Sequence, residues 1–404
     1  MSKIVFDTQA LAENAQRLLG WASGLGLEVV PVLKAVREFP PAVETLIEVG
    51  FSRFGLPKFE KHLDTLLTRE AKTLIQLTAP SSVAETVYNF GRSLQSSPKV
   101  LRLLDRAAGA ANLTHEVVLM VNLGDNREGL EPSLVSEALD FLLGLPNLVF
   151  RGFGSILTCL GDLLPGPELF DSLRSLVDLA ASRKIPNPVL SLGGSVMCAF
   201  VNAHGPGPIT QLRLGDPFLL GYDVYRETEL PAGPWRRDVC RLEAEVVEVS
   251  LRPKAHNGSL SPRALLDMGR FQAGKVYPCS PQTVPLEGLE CLWPGAAIVG
   301  STAGYIVLEL SDCQIRPEVG DLVSFRPGYW PMATAFRSRD VKVELETPAT
   351  RGRSQPQGRD PLGHGPHDPG PLDHGPLDHG PHDPGQLDSG PRSKSKGWRR
   401  LSSL

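Results

Sequence analysis

The feature that most constrains the fold is a regular alternation, over the first 220 residues, between short apolar runs and longer stretches with helical periodicity. The apolar runs have the length of buried strands and include "LEVVPVLKAV", "EVVLMVNLG", "LVFRGFGSIL" and "NPVLSLGG". The stretches between them repeat apolar residues every three to four positions, as in "PAVETLIEVG" and "PSLVSEALDFLLGL". Strands that are apolar on both faces are typical of parallel sheets covered by helices.

About eight such units favour the α/β class and a parallel (β/α)8, TIM-like barrel of roughly the usual length. An open doubly wound sheet is the alternative. It would need a phosphate-binding loop after an early strand, and neither G-x-G-x-x-G nor G-x-x-x-x-G-K occurs there. The same patterns predict a helix over "FEKHLDTLLTRE" (59–70), a capping box at Ser82 and Glu85, and a weak strand near Lys99.

The sequence changes character near residue 226. Runs such as "VCRLEAEVVEVSL", "YIVLELSD" and "GDLVSF" are β-rich, with turn residues between them, and predict a separate β-domain over 226–347. After it, 348–404 is rich in Gly, Pro, Asp and His and repeats units such as GPLDH. This composition predicts a disordered tail, so we expect a barrel over 1–225, a β-domain over 226–347 and the tail.

Composition excludes several classes of protein. A formal net charge of -4 gives no field that would recruit nucleic acid or an anionic membrane. No apolar run of about 20 residues predicts a membrane span, and the opening "MSKIVFDTQALAENAQ" turns polar too soon for a signal peptide. The six cysteines form no C-x-x-C pair, so we expect neither a zinc site nor disulfides, and a cytoplasmic location.

Lys34 interrupts the first buried run, "LEVVPVLKAVREFP". In a parallel barrel the carboxyl end of a strand faces the active site. A lysine desolvated there becomes a nucleophile that forms Schiff bases. The alternative is a lysine that extends from the strand end to water. Position alone leaves both interpretations open.

Other segments at or after predicted strand ends carry a family resemblance, and they read "MVNLGDNREG", "LTCLG", "SLGGS" and "LRLGDPFLLG". Together with "VFDTQALAENAQRL" and "VLKA", their order resembles the fold-type III, pyridoxal-phosphate-dependent amino-acid racemases. The resemblance is to the alanine racemase type, and within it to the ornithine racemase branch. It covers about residues 4–342. "VGSTAGYIVLELSDC" matches the family's β-domain more loosely, and "GYWPMATAFRSRDVKV" resembles its last strand.

The resemblance implies pyridoxal 5′-phosphate as cofactor, held by Lys34 as a Schiff base. Arg213 would face the pyridine nitrogen and keep it unprotonated, which favours reprotonation of the substrate over side reactions. Arg127 would contact the cofactor's phenolic oxygen or the substrate carboxylate. The phosphate-binding positions match Gly194, Ser195, Gly215 and Asp216. Asp216 would contribute only its backbone, because its carboxylate would repel phosphate.

The chain also departs from the family pattern. Ile156 stands where relatives tend to carry Asn, and Thr302–Tyr305 reads Thr-Ala-Gly-Tyr where they typically have Ser-Ser-Asp-His. In this fold the β-domain of one subunit usually completes the site of its partner, so the resemblance implies a homodimer. Tyr305 is the remaining candidate for the base that acts on the face opposite Lys34.

The resulting hypothesis is an isomerase that racemises a free amino acid, with Lys34 acting on one face of the α-carbon and Tyr305 on the other. Two alternatives remain open. One is another pyridoxal-phosphate enzyme on the same scaffold, of decarboxylase or aldolase type. The other is a homologue that binds the cofactor but has lost activity.

Overall fold

A computed structural model describes residues 2–160, 164–223, 230–254, 258–279 and 286–347. The first strand, β1 (Lys3–Phe6), joins a second sheet, whereas the next eight strands pair in parallel with one another. These eight are β2 (Glu28–Pro31), β3 (Phe54–Leu56), β4 (Lys72–Leu74), β5 (Arg92–Gln95), β6 (His115–Met120), β7 (Leu148–Ile156), β8 (Val189–Gly193) and β9 (Gln211–Leu214).

The eight strands form a barrel. Their hydrogen-bonded order is β2-β9-β8-β7-β6-β5-β4-β3, and the ring closes where Gly55 of β3 lies against the side chains of Val30 and Val32. The helices that cover and connect the strands are α1 (Thr8–Gly24), α2 (Pro40–Val49), α3 (Val83–Asn89), α4 (Pro98–Ala110), α5 (Val135–Leu143), α6 (Leu169–Ser182), α7 (Val196–His204) and α8 (Asp216–Leu219). The predicted (β/α)8, TIM-like barrel is confirmed.

The second sheet contains nine strands, most of them antiparallel neighbours. Besides β1 they are β10 (Cys240–Pro253), β11 (Leu260–Leu266), β12 (Tyr277–Pro278), β13 (Gly288–Cys291), β14 (Ala297–Ser301), β15 (Ile306–Glu309), β16 (Leu322–Pro327) and β17 (Lys342–Leu345). Two short helices accompany them, α9 (Arg270–Ala273) and α10 (Tyr329–Ala335). The β-rich composition of this part of the sequence therefore correctly indicated a β-sheet. The predicted tail from residue 348 onward lies outside the described residues.

Two polar residues fix the start of the barrel. The carboxylate of Asp7 accepts a hydrogen bond from the N–H of Ala10 at 3.0 Å and caps α1. Asn14, buried in the middle of α1, donates to the carbonyls of Phe218 and Arg236 and accepts from the N–H of Arg236. Since Phe218 belongs to α8, these bonds tie the first helix of the chain to the helix that follows β9.

Several local predictions were wrong. The segment 59–70 contains only a 3₁₀ turn, Lys61–Leu63, and α3 begins after Ser82 without a side-chain cap. The strand expected near Lys99 is β5, several residues earlier, and Lys99 itself lies in α4. The segment "GYWPMATAFRSRDVKV" is helical over α10 and becomes a strand only at β17.

The strand β5 escaped the apolar criterion because it buries polar side chains. The Nε of Arg92 donates to Glu116 at 2.9 Å, and Ser93 Oγ lies 2.7 Å from His115 Nε2 on the neighbouring strand. Gln95 donates to Thr78 at 2.7 Å. Each of these buried polar groups thus has a hydrogen-bonding partner on the neighbouring strand or on a nearby loop, which compensates for its loss of hydration.

The described residues contain no helix that combines the length and apolarity needed to cross a membrane.

Candidate active site

A cleft of about 830 Å³ opens at the carboxyl ends of the barrel strands. In a parallel barrel this end carries the active site, because the loops after the strands converge there. Seven of the predicted site residues line this one cleft: Lys34, Arg127, Gly194, Ser195, Arg213, Gly215 and Asp216. They come from four separate loops or strands that are far apart in sequence.

Lys34 begins the 3₁₀ turn Lys34–Val36, three residues after β2 ends. Its side chain is exposed to the cleft, whereas the interpretation as a nucleophile had assumed a desolvated lysine. The Nζ atom lies 5.9 Å from the centre of the Tyr329 ring. Arg337, which follows α10, holds the backbone of this turn. Its Nη2 donates a hydrogen bond to the Lys34 carbonyl at 2.8 Å. The amine is therefore available on a fixed backbone.

The turn behind Lys34 has a strained backbone and buries the side chain of Glu38. Arg37 and Glu38 both have left-handed backbone angles, with φ of 52° and 48°, which non-glycine residues rarely adopt. Burial raises the pKa of the Glu38 carboxyl to about 7, and the neighbouring Glu60 carboxylate contributes to the rise. His62 Nε2 lies 3.2 Å from the Glu38 carbonyl. Sequence periodicity gave no signal for this group, since its members meet only through tertiary packing.

Arg213 lies on β9 and is buried. Its Nη1 donates to the Ser191 carbonyl at 2.7 Å and to Ser191 Oγ at 2.6 Å, and its Nη2 donates to the Ser155 carbonyl at 2.8 Å. Burial lowers the pKa of the guanidinium to about 10. The group therefore remains charged at neutral pH, in an orientation fixed by three hydrogen bonds.

Two glycines shape the far end of the cleft. Gly194 has a φ of +112°, and a Cβ there would lie 2.7 Å from the Leu157 carbonyl oxygen. A Cβ on Gly215 would lie 2.6 Å from the Val32 carbonyl oxygen. Larger residues at either position would push neighbouring strand ends apart. Just beyond Gly194, α7 begins. The N–H groups of Met197 and Cys198 bond to the carbonyls of Gly194 and Ser195, and the helix dipole is positive at this end. Such a glycine-lined helix start suits an anion such as phosphate.

Ser195 stands at this helix start and contacts two carboxylates. Its Oγ lies 2.6 Å from Oδ1 of Asp223 and 3.2 Å from Oδ2 of Asp216. Burial raises the pKa of Asp216 to about 6, and Asp223 adds to the rise, while Lys34 and Ser195 oppose it. Asp223 was not singled out from the sequence, where nothing marks it as a neighbour of Ser195.

Arg127 follows β6 and reaches the opposite wall of the cleft. Its Nη2 is 2.8 Å from Oε1 of Glu128, which also lines the cleft. The buried Asp125 accepts hydrogen bonds from the N–H groups of Cys159 and Leu160. The two loops that follow β6 and β7 are thus joined, and Arg127 is presented between them.

Tyr329 lines the cleft, although the sequence did not single it out, whereas the predicted base Tyr305 does not. Tyr329, the first residue of α10, lines the cleft beside Lys34. Tyr305 lies on the turn between β14 and β15 with an exposed side chain, and it is not among the residues that line this cleft. The role of Tyr305 stays a prediction.

The family model described as "Alanine racemase, N-terminal domain" matches residues 6–218. An ornithine racemase from Acetoanaerobium sticklandii is 26% identical over 353 residues, which cover 85% of this chain and 99% of that protein. A lysine racemase from Thermotoga maritima is 25% identical over 360 residues, covering 85% and 98%.

Solved structures share the fold. Alanine racemase from Streptomyces lavendulae superposes with a TM-score of 0.66 at 16% identity, covering 86% of this chain and 97% of that one. D-threonine aldolase from Filomicrobium marinum superposes with a TM-score of 0.64 at 17% identity, covering 84% and 89%. At this identity, both likenesses concern the fold alone.

Proposed function

The chain belongs to the alanine racemase family and is an amino-acid racemase, and we propose that it works with pyridoxal 5′-phosphate bound at Lys34. The observation that carries this proposal is the convergence of seven residues, picked from separate sequence motifs, on one cleft at the active-site end of the barrel. An isomerase of this kind interconverts the L and D forms of a free amino acid.

The residues present fit the cofactor. Lys34 offers an exposed primary amine, and the glycines at 194 and 215 leave backbone where side chains would fill the anion-binding end. Arg213 offers a fixed cationic donor between these two ends of the cleft. When bound, pyridoxal phosphate supplies the conjugated ring that accepts the electrons left on the α-carbon when its proton departs.

The chain's own residues supply proton transfer and positioning. The Lys34 amine removes or returns the α-proton on the face of the substrate turned toward β2. Arg213 retains its own proton, since a pKa of about 10 leaves it charged at neutral pH, so it can donate a hydrogen bond without transferring a proton. Arg127, whose planar guanidinium is open to the cleft, is placed to bind a carboxylate in bidentate fashion.

The opposite face of the substrate needs a second acid–base group, and the proposal takes it from another copy of the chain. In a closed homodimer, the barrel domain 1–225 of one subunit would face the β-domain 226–347 of the other. The exposure of Tyr305 on the β14–β15 turn supports this, because a group that serves another subunit must be accessible on its own. Two-fold dimers are also the commonest oligomers.

All six cysteines are free thiols, which supports the proposed location in a reducing cytoplasm.

Two features of the cleft favour different kinds of substrate side chain. Ile75, Leu94 and Ile156 give it an apolar wall, which suits an aliphatic side chain. Glu128 lines the cleft in an ion pair with Arg127. Once Arg127 turns to the substrate carboxylate, Glu128 suits a cationic side chain such as those of the substrates named for the two relatives. A substrate panel therefore has to span both kinds.

We expect purified protein, supplied with pyridoxal phosphate, to racemise at least one amino acid from a panel that includes ornithine, lysine, alanine and leucine. Chiral chromatography measures the second enantiomer, and mass spectrometry in heavy water measures exchange at the α-carbon. Release of carbon dioxide or of an aldehyde would instead indicate a decarboxylase or an aldolase. Exchange with full retention of configuration would contradict racemisation.

We expect Tyr305→Phe to lower racemisation by roughly 10²- to 10⁴-fold, the usual range for removing a general acid–base group. Exchange of the α-proton on the Lys34 face should persist, because that face does not depend on the phenol. Tyr88→Phe is the matched control, since Tyr88 is an exposed tyrosine on α3. Equal racemisation by the Tyr305 and Tyr88 variants would place the second base elsewhere.

A further inference from the structure

Three polar residues stand in register on neighbouring strands of the barrel, and their side chains form a chain of hydrogen bonds. Glu28 of β2 pairs with Gln211 of β9, which pairs with Ser191 of β8. Ser191 Oγ lies 2.5 Å from Gln211 Oε1, and Gln211 Nε2 lies 2.7 Å from Glu28 Oε2. Since Arg213 Nη1 lies 2.6 Å from Ser191 Oγ, the chain ends at the guanidinium that lines the cleft.

The chemistry of these groups fixes the direction of each hydrogen bond. The half-exposed Glu28 carboxylate, 3.4 Å from Arg53 Nε, acts as an acceptor, so the Gln211 amide turns its NH₂ group toward it. The amide oxygen then faces Ser191 and accepts its single hydroxyl hydrogen. A lone pair of Ser191 Oγ is left for Arg213, which has only donors. With the amide reversed, two acceptors would meet at Glu28, and the Ser191 hydrogen would have no acceptor in the chain.

These bonds decide which donors Arg213 offers to the cleft. A guanidinium carries five N–H groups. Nη1 uses both of its hydrogens, on the carbonyl and the hydroxyl of Ser191, and Nη2 uses one on the carbonyl of Ser155. Within the part of the chain that the structure describes, the Nε–H and the second Nη2–H have no acceptor. They are therefore the two donors that remain for a bound molecule, as long as the guanidinium keeps this orientation.

We propose that Gln211, acting through the Ser191 hydroxyl, is a positioning residue that holds the remaining donors of Arg213 toward the ring nitrogen of the cofactor. This rests on the proposed function, in which Arg213 stays charged and donates a hydrogen bond. Neither Gln211 nor Ser191 is among the described residues that line the cleft, so both act only through Arg213. Without the amide oxygen, the Ser191 hydroxyl can turn its hydrogen toward Arg213, and the guanidinium loses an acceptor that fixes it.

The experiment compares two ligands that differ only at the ring nitrogen. They are pyridoxal phosphate and its 1-deaza analogue, in which C–H replaces that nitrogen. Both carry the aldehyde and the phosphate, so the ratio of their dissociation constants, measured on protein freed of cofactor, isolates the hydrogen bond at the nitrogen. The wild type should prefer pyridoxal phosphate by roughly ten- to a hundredfold, the usual contribution of a hydrogen bond to a charged group. Arg213→Met should remove this preference.

Two variants test the positioning chain. Gln211→Met and Ser191→Ala should each reduce the preference by about three- to tenfold, the usual contribution of one neutral hydrogen bond. The double variant should show the same preference as Ser191→Ala alone, because Gln211 acts only through the hydroxyl that this change removes. Should Gln211→Met fail to fold, Ser191→Ala still decides the matter, since it removes a single oxygen atom.

Gln95→Met is the matched control for loss of a buried amide. Gln95 is a buried glutamine of β5, and its amide donates to Thr78 and Ser93 instead of to the chain that reaches Arg213. Its preference should equal that of the wild type.

An unchanged preference in Ser191→Ala would overturn the proposal, as would additive losses in the double variant or an equal loss in Gln95→Met. A wild type that binds both ligands equally tightly would also refute it, because Arg213 would then not meet the ring nitrogen. Failure of the wild type to bind either ligand would contradict the proposed function instead.

Discussion

Replacing Lys34 by alanine is expected to abolish racemisation of every substrate and all exchange at the α-carbon, a loss of at least about 10⁴-fold. The reason is that the exposed amine at the end of β2 both holds the cofactor and moves the α-proton in the proposed function. The fold should survive, since the side chain lies in the open cleft and the bond from Arg337 reaches the Lys34 backbone, which alanine retains. Borohydride treatment followed by peptide mass spectrometry should label the wild type at Lys34 and leave the variant unlabelled.

Two controls define what the lysine supplies. Lys34→Arg retains a positive charge but not a nucleophilic amine, so we expect it to be as inactive as the alanine variant. Lys342→Ala removes an exposed lysine on β17 and should leave racemisation and labelling unchanged. Substantial activity in Lys34→Ala, or labelling at a different lysine, would show that the cofactor is held elsewhere.

Gly152→Ala is expected to lower the free energy of unfolding by on the order of 4 kcal/mol. Gly152 lies in β7 where its register with β6 shifts, and its φ is +153°. A Cβ at this position would lie 2.0 Å from the carbonyl oxygen of Val189 on β8, and a backbone atom inside a barrel has little room to move. The expected result is a large fall in the urea midpoint and in Tm.

Gly124→Ala is the matched control for this effect. Gly124 has a similar φ of +126°, but a Cβ there would meet nothing within 4 Å. The control therefore carries only the conformational penalty, about 1–2 kcal/mol, and the difference between the variants measures the collision in the barrel. Equal losses from the two substitutions would mean that β7 and β8 can separate at this point without penalty.

The barrel was predictable from the sequence because its strands are buried on both faces and its helices on one face. The strands therefore appear as continuous apolar runs, and the helices as apolar residues repeated every three to four positions. The predictions failed where tertiary contacts, and not the local spacing of apolar residues, determine the secondary structure. The segment 59–70 has helical spacing, but it buries only a few residues and spans the gap between β3 and β4 as irregular chain around a 3₁₀ turn. The strand β5 gave no apolar signal because Arg92 and Ser93 are polar, and they can be buried only because β6 supplies their hydrogen-bonding partners.

The candidate site was likewise predictable only in part. Motifs next to strand ends pointed to Lys34, Arg213 and the two glycines, since parallel strands deliver such positions to a common end. The pairing of Ser195 with Asp223 and the approach of Tyr329 to Lys34 depend on residues 28 and 295 positions apart. No local pattern records a contact of that kind, which is why these groups emerged only from the structure.

The placement of β1 has a consequence for how the chain is made. Its neighbours in the sheet are β10, which begins at Cys240, and β17, which begins at Lys342. At roughly 5–20 residues per second, the ribosome needs roughly 20 to 70 s after finishing β1 to complete β17. β10 is synthesised first, after roughly 12 to 50 s, and until then Ile4, Val5 and Phe6, all buried in the finished protein, lack both of their sheet partners. The nascent chain therefore displays an apolar, unpaired strand until its partners are made, which makes that strand a target for a chaperone during synthesis.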